Sequence, residues 1–188
     1  MATHQEVEIK FLLPDLKALT RRLRAAGFRI AERRGHEENT LYDLPGQVLR
    51  KRGELLRLRK YGKRWLLTHK GRGTAGRHKS RVETETEIPD GARMDSILRA
   101  LGFEHTFRYE KFRTGWSDGK GHVLVDETPI GNVAEIEGPP QWIDRTARAL
   151  GVAERDYITD SYVGLFFAWK ARTGSAAEEM TFAAVKKP

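Results

Sequence analysis

The chain opens on strict alternation. In HQEVEIKFLL, residues 4–13, Val7, Ile9 and Phe11 take turns with Glu6, Glu8 and Lys10. Period two marks a strand that buries one face, and Pro14 stops it. Asp15 then precedes LKALTRRLRAAGF, where Leu16, Leu19 and Leu23 fall at helical spacing and Gly27 ends the helix. FRIAERRGHEENTLYDL predicts a strand with a polar interruption, and PGQVLRKRGE a loop or turn. LLRLRKY and RWLLTHKG predict two strands joined by a hairpin at Gly62 and Lys63. GRGTAGRHK reads as a basic loop and SRVETETEI as another alternating strand. After a turn at Pro89-Asp90-Gly91 comes a second helix, ARMDSILRALGF. RYEKFRTGW, HVLVDET and NVAEIEG predict strands. PQWIDRTARALGV predicts a third helix, and TDSYVGLFFAWKAR a fourth, capped by Thr159 or Asp160. Residues 1–172 read as one domain, and 173–188, small and charged, as a loose tail.

Sorting each strand by face gives nearly pure charge sets. Glu6, Glu8 and Lys10 share one face; so do Arg57 and Arg59; Thr68 and Lys70; Glu83, Glu85 and Glu87; Lys111 and Arg113; Glu135 and Glu137. Asp126 falls with His122 and Leu124, opposite Val123 and Val125. A solvated face usually mixes signs, and like neighbours on a strand repel by about a few tenths of a kcal/mol. A closed antiparallel barrel in an α+β fold reconciles these strands: polar inside, with apolar faces turned outward under the helices. Inside it, Arg and Lys suit phosphate oxygens, with Arg offering bidentate forks. Glu and Asp suit a hard divalent cation, Mg²⁺ or Mn²⁺.

Composition narrows the classes. The formal charge of +8 points to an anionic partner. The absence of cysteine excludes disulfides, thiolate metal sites and cysteine nucleophiles. No apolar run approaches the ~20 residues of a membrane span, and there is no signal-peptide core. The expectation is therefore a cytoplasmic protein with no membrane partner.

Six segments, in order, then resemble one family. Glu6-Val7-Glu8-Ile9-Lys10 matches the ExExK opening of CYTH domains, the triphosphate tunnel metalloenzymes that include class IV adenylyl cyclases and thiamine triphosphatases. LLRLRK, LTHKG, SRVETETEI, LVDETPIGNVAEIEGPPQWIDRTARALG and DSYVGLF resemble its later segments, so the likeness spans residues 5 to about 170. The resemblance implies an eight-stranded tunnel. It implies Lys10, Arg57, Arg59, Lys70, Lys111 and Arg113 as triphosphate ligands, with Arg108 as a further one. It implies Glu6, Glu8, Glu135 and Glu137, with Asp126 close by, as metal ligands. Glu83 and Glu85 would be ligands or would orient water and the basic residues, and Lys10 is a general base only if its pKa is depressed. Where the thiamine triphosphatase branch carries an activating Tyr and Lys, this chain has Leu41 and Thr68, which counts against thiamine triphosphate.

The function read from these residues is metal-dependent hydrolysis of a phosphoanhydride bond in tripolyphosphate, ATP or another nucleotide. An adenylyl cyclase is the alternative. A non-catalytic polyphosphate- or nucleic-acid-binding module is the third reading, disfavoured because such a surface has no use for Glu-x-Glu strands. A homodimer is left open.

Overall fold

The computed structural model describes residues 2–74 and 76–185. The strands are β1 (Ala2–Leu12), β2 (Arg29–Asp43), β3 (Leu55–Tyr61), β4 (Arg64–Lys70), β5 (Lys79–Ile88), β6 (Glu104–Ser117), β7 (His122–Thr128) and β8 (Gly131–Glu137). They close into an antiparallel barrel in the order β1-β5-β4-β3-β2-β6-β7-β8. Helices α1 (Leu16–Ala25), α2 (Val48–Arg52), α3 (Gly91–Ala100), α4 (Pro140–Ala149) and α5 (Tyr162–Thr173) pack around it. The closed α+β barrel read from the alternation is the fold observed.

Register puts the charged faces together. Lys10 pairs with Glu135 and Glu8 with Glu137 across β1 and β8. Glu6 lies opposite Arg81, Lys70 opposite Glu83, Glu37 opposite Lys111 and Arg113 opposite Asp126. A slip of one residue would turn every such side chain out of the barrel.

The apolar faces point outward and hold this register. Ile9, Phe11, Val123, Val125, Ala134 and Ile136 pack under Leu19 and Leu23 of α1 and Ile143 and Ala147 of α4. Each fully buried aliphatic side chain contributes about 1.5–3 kcal/mol. A second patch on β2–β5, with Tyr42, Leu58 and Ile88, packs under Leu98 of α3. That helix can approach because it starts at Gly91, where a Cβ would stand 2.1 Å from the Trp65 ring.

Three local expectations differ. PGQVLRKRGE holds the short helix α2, because the Asp43 carboxylate accepts from the backbone N–H of Leu49 and Arg50 and so caps its first turn. The cap of α5 is Ser161, whose hydroxyl accepts from Gly164 N–H, rather than Thr159 or Asp160. The segment 175–185 is docked rather than loose. Met180 and Val185 are buried with Tyr109, Tyr162 and Phe166, and Met180 exchanges backbone hydrogen bonds with Arg108 and Glu110 beyond the end of β7. Residues 186–188 lie outside the described part. Among the described residues, no helix is long and apolar enough to cross a membrane.

Candidate functional site

Inward-facing side chains enclose a cavity of about 230 Å³ along the barrel axis. Its walls carry seven cations, Lys10, Arg57, Arg59, Lys70, Arg81, Lys111 and Arg113, and six carboxylates, Glu6, Glu8, Glu83, Glu85, Glu135 and Glu137. The near balance matters, because each charge is taken out of water and needs a partner. Lys70 Nζ donates to both oxygens of Glu6 at 2.7 and 2.8 Å and pairs with Glu83 at 2.6 Å. Lys10 Nζ donates to Glu8 at 2.6 Å, and Arg81 Nε donates to Glu6 at 3.2 Å.

Below this lies a floor of buried charge. Arg113 donates two parallel bonds to Asp126, at 2.7 and 2.6 Å, and Lys111 donates a third at 2.9 Å. The Tyr162 hydroxyl, at the first turn of α5, donates a fourth. The Tyr162 ring roofs the site, with Lys111 Nζ 4.3 Å from its centroid. Glu37 pairs with Arg59 at 3.3 Å and accepts from Asn39 at 2.9 Å. Burial would raise the Glu37 carboxyl, but Arg59, Lys111, Arg113 and Arg57 hold it well below the usual range.

One donor stands apart. Arg57 gives Nη1 to the Tyr109 hydroxyl at 3.3 Å and Nη2 to Thr68 at 3.2 Å. Its Nε is buried with no hydrogen-bond partner among the described residues. An unmet buried donor costs about 1–3 kcal/mol.

The carboxylates divide into two kinds. Burial would raise Glu135, but Arg113, Lys10 and Lys111 hold it well below its ordinary value. Glu137 goes the other way: burial, Glu135, Glu6 and Glu8 push it up to about 8, against Arg113. Oxygens of Glu6, Glu8 and Glu137 lie within 4.8 Å of one another. That crowded, all-oxygen set fits a hard divalent cation.

Most sequence-derived candidates therefore meet in one space, with three adjustments. Arg108 is exposed, on the face of β6 opposite Tyr109 and Lys111, and does not line the cavity. Asp126 is fully buried, with four donors on it, so it anchors Lys111 and Arg113 and is not free for a metal. Lys10 is not poised as a base: burial lowers its pKa, but Glu8, Glu135 and Glu6 outweigh that and raise it. Glu83 is likewise held low, burial notwithstanding, by Lys70 and Arg57. Glu85 lines the wall and accepts from the Thr68 hydroxyl at 2.7 Å. Sequence reasoning missed Glu37, Asn39, Arg81, Tyr109 and Tyr162 as site residues. For Arg81 the signal was present, since it shares the parity of Glu83 and Glu85.

Comparison with known proteins adds to this geometry. The model of the CYTH domain matches residues 4–162. A Methanocaldococcus jannaschii protein named a putative adenylate cyclase is 25% identical over 171 residues, covering 85% of this chain and 97% of that protein. A Pyrococcus horikoshii structure superposes with a TM-score of 0.74 at 26% identity, over 87% of this chain and 98% of the other. A Hippeastrum protein, described as a putative adenylyl cyclase with a dominant triphosphatase activity, shares the fold at a TM-score of 0.62 and 21% identity. That match covers 87% of this chain and 95% of the other.

Proposed function

The chain belongs to the CYTH domain family, and from that premise we propose that it is a metal-dependent triphosphatase acting on a triphosphate held along the barrel axis. The observation that carries the reading is the convergence of seven cations and six carboxylates on one narrow cavity. A polyanion alone would not need the carboxylates, and a metal alone would not need the arginines.

Lys10, Arg57, Arg59, Lys70, Lys111 and Arg113, joined by Arg81, would spread over the phosphate oxygens. Glu6, Glu8 and Glu137, with Glu135 beside them, would hold Mg²⁺ or Mn²⁺. When bound, the ion supplies charge neutralisation at the phosphate oxygens. Phosphoryl transfer is mostly positioning and charge stabilisation, which fixed cations on a rigid barrel provide. A water oxygen bonds to the terminal phosphorus, the bridging P–O bond breaks, and the shortened phosphate leaves with the electron pair. Glu85, on the cavity wall, would orient that water and pass its proton toward solvent. Asp126, Glu37 and Tyr162 act indirectly by fixing Lys111, Arg113 and Arg59.

A product assay tests this. Purified protein with Mg²⁺ or Mn²⁺ should release orthophosphate from tripolyphosphate or ATP, and Glu135→Ala or Arg57→Ala should abolish turnover in a folded protein. Wild-type rates in both variants would end the site assignment. The relative from Methanocaldococcus jannaschii favours a second reading, adenylyl cyclase. Cyclic AMP and pyrophosphate as products would establish that one instead.

A further inference from the structure

The barrel interior does not account for the charge of the chain. Glu37 and Asp126, added to the six carboxylates of the cavity wall, outnumber its seven cations, so the formal +8 resides elsewhere. Most of it falls in one short stretch. Between Leu16 and Arg34 stand Lys17, Arg21, Arg22, Arg24, Arg29, Arg33 and Arg34 against the single carboxylate of Glu32, which makes six of the eight net charges. All seven of these cationic residues are exposed. Arg22 donates to the Leu150 carbonyl at 2.7 Å, and Arg34 pairs with Glu127 at 2.7 Å. Lys17, Arg21, Arg24, Arg29 and Arg33 form no ion pair among the described residues, whereas every cation of the tunnel wall is paired.

We propose that this outer face, formed by α1 and the start of β2, binds the phosphate backbone of a nucleic acid. The face is separate from the tunnel and does not depend on what the tunnel holds. Lys17, Arg21 and Arg24 follow one another at i, i+4 and i+7, so they form one stripe on α1, on the side away from the buried Leu19 and Leu23. On β2 the register shifts on both sides of Glu32. Such irregularities release a strand from strict alternation, and the adjacent Arg33 and Arg34 are both exposed. A groove joins the two elements. Leu16 and Thr20 of α1 line it together with Ile30, Arg33 and Arg34 of β2. The Arg24 guanidinium stands 6.0 Å from the ring centroid of Trp116, which lines the same groove. Cations thus flank the groove on both sides.

The chemistry of the face selects among anionic partners. Six of the seven cations are arginine, whose planar fork matches the oxygens of a phosphate. A phosphodiester chain repeats its charge along its length and releases counterions at each contact. It therefore gains from a run of unpaired cations that a single small anion does not need. A lipid surface or an acidic amphipathic helix would be anchored by several exposed apolar residues. Ile30 is the one large apolar residue exposed between residues 16 and 34. Contacts to phosphate position a backbone and carry no sequence information, so binding is sequence-independent and steeply dependent on salt.

The test is fluorescence anisotropy of the full chain with a labelled DNA duplex of about 20 base pairs and an RNA duplex of the same sequence, which separates the two sources of the backbone. Wild type should bind at least one of them with a Kd of about 1–100 µM near physiological salt. Five contacting cations should cost about 500-fold in affinity between about 50 and 200 mM salt. The triple variant Arg21→Gln, Arg24→Gln, Arg33→Gln should cut that salt loss to about ten-fold and weaken binding at low salt at least about ten-fold, with an unchanged melting temperature because all three positions are exposed. Removing as many exposed cations elsewhere, in Lys51→Gln, Arg52→Gln, Lys63→Gln, should change affinity by less than about two-fold. Equal losses in the two triple variants would mean that net charge, rather than this face, does the binding. No binding of either duplex, or binding only to vesicles of phosphatidylserine and phosphatidylcholine, would equally overturn the proposal.

Discussion

Two regions of one cavity use the same residue types to opposite effect. At the floor, Asp126 and Glu37 are 0% and 1% exposed and each is surrounded by donors. At the acidic end, Glu6, Glu8 and Glu137 crowd their oxygens within 4.8 Å, and Glu137 is pushed up to about 8 by burial and by its acidic neighbours. The floor has cations in hand for every carboxylate; at the acidic end Glu6 and Glu8 hold Lys70, Arg81 and Lys10, but Glu137 makes no ion pair among the described residues. A buried charge with full partners is scaffold, and removing a partner is costly. A crowded cluster with one carboxylate left unpaired gains by taking up a cation. The state of pairing, more than residue type, separates framework from site.

The largest effect should come from breaking the floor. Asp126→Ala leaves Lys111 and Arg113 buried without their main partner, which costs about 3–5 kcal/mol. Chemical denaturation should show that loss, together with loss of turnover. Wild-type stability in this variant would erase the distinction between the two regions.

Glu137→Gln should do the reverse. Removing one of three crowded carboxylates should raise the stability of the metal-free protein at neutral pH, but lower metal affinity by at least the 10- to 100-fold typical of weaker, indirect contacts to a metal. The pH dependence sharpens the contrast. A carboxyl raised from 4.5 to about 8 keeps a proton in the folded protein that the unfolded chain has lost. Its contribution to stability is thus largest at low pH and falls as pH rises through that window. Metal-free wild type should lose melting temperature between about pH 5 and 8 more steeply than Glu137→Gln does. Parallel profiles would remove Glu137 from the crowded set.

A smaller effect links the two ligands. Lys70 and Lys10 are held by Glu6 and Glu8. A triphosphate that draws these ammonium groups away leaves the carboxylates in greater need of a cation. Divalent metal and tripolyphosphate should therefore bind with positive coupling of about 1–3 kcal/mol. Calorimetry of each ligand with and without the other, corrected for their complex in solution, measures it. Independent binding would mean that the acidic end and the cationic wall do not act together.

Much of this arrangement was legible in the chain because a strand's period is two. Once Val7, Ile9 and Phe11 are taken as the outer face, Glu6, Glu8 and Lys10 must share the inner one, and the same logic places Arg57, Arg59, Lys70, Lys111, Arg113 and Glu135. Glu37 and Asn39 were hidden. They lie in GHEENTLYD, where Glu37 and Glu38 are adjacent and polar residues fall on both parities; pairing with Lys111 and Arg59 decides between them. Tyr162 was hidden for a different reason: its site role depends on where α5 crosses the barrel end, which no local pattern records. Asp126 was placed on the correct face, but which partners claim a carboxylate is a matter of three-dimensional distance.

Arg108 marks the limit of reading by composition instead of parity. It sits in RYEKFR beside the cavity residues, and its charge suits a phosphate. Yet Tyr109, Lys111 and Arg113 are buried on one face of β6, and an even-numbered neighbour must point the other way. The structure leaves Arg108 exposed outside the barrel, where its backbone carbonyl accepts from Met180 N–H. An exposed charge away from the site is worth within about ±0.5 kcal/mol in stability and cannot reach a ligand across the barrel wall. Arg108→Ala should thus leave the kcat/KM for tripolyphosphate within about two-fold of wild type, in the same assay in which Arg57→Ala abolishes turnover. A ten-fold loss in Arg108→Ala would show that the outer face of β6 takes part in binding, and that inward orientation is not what selects the working cations.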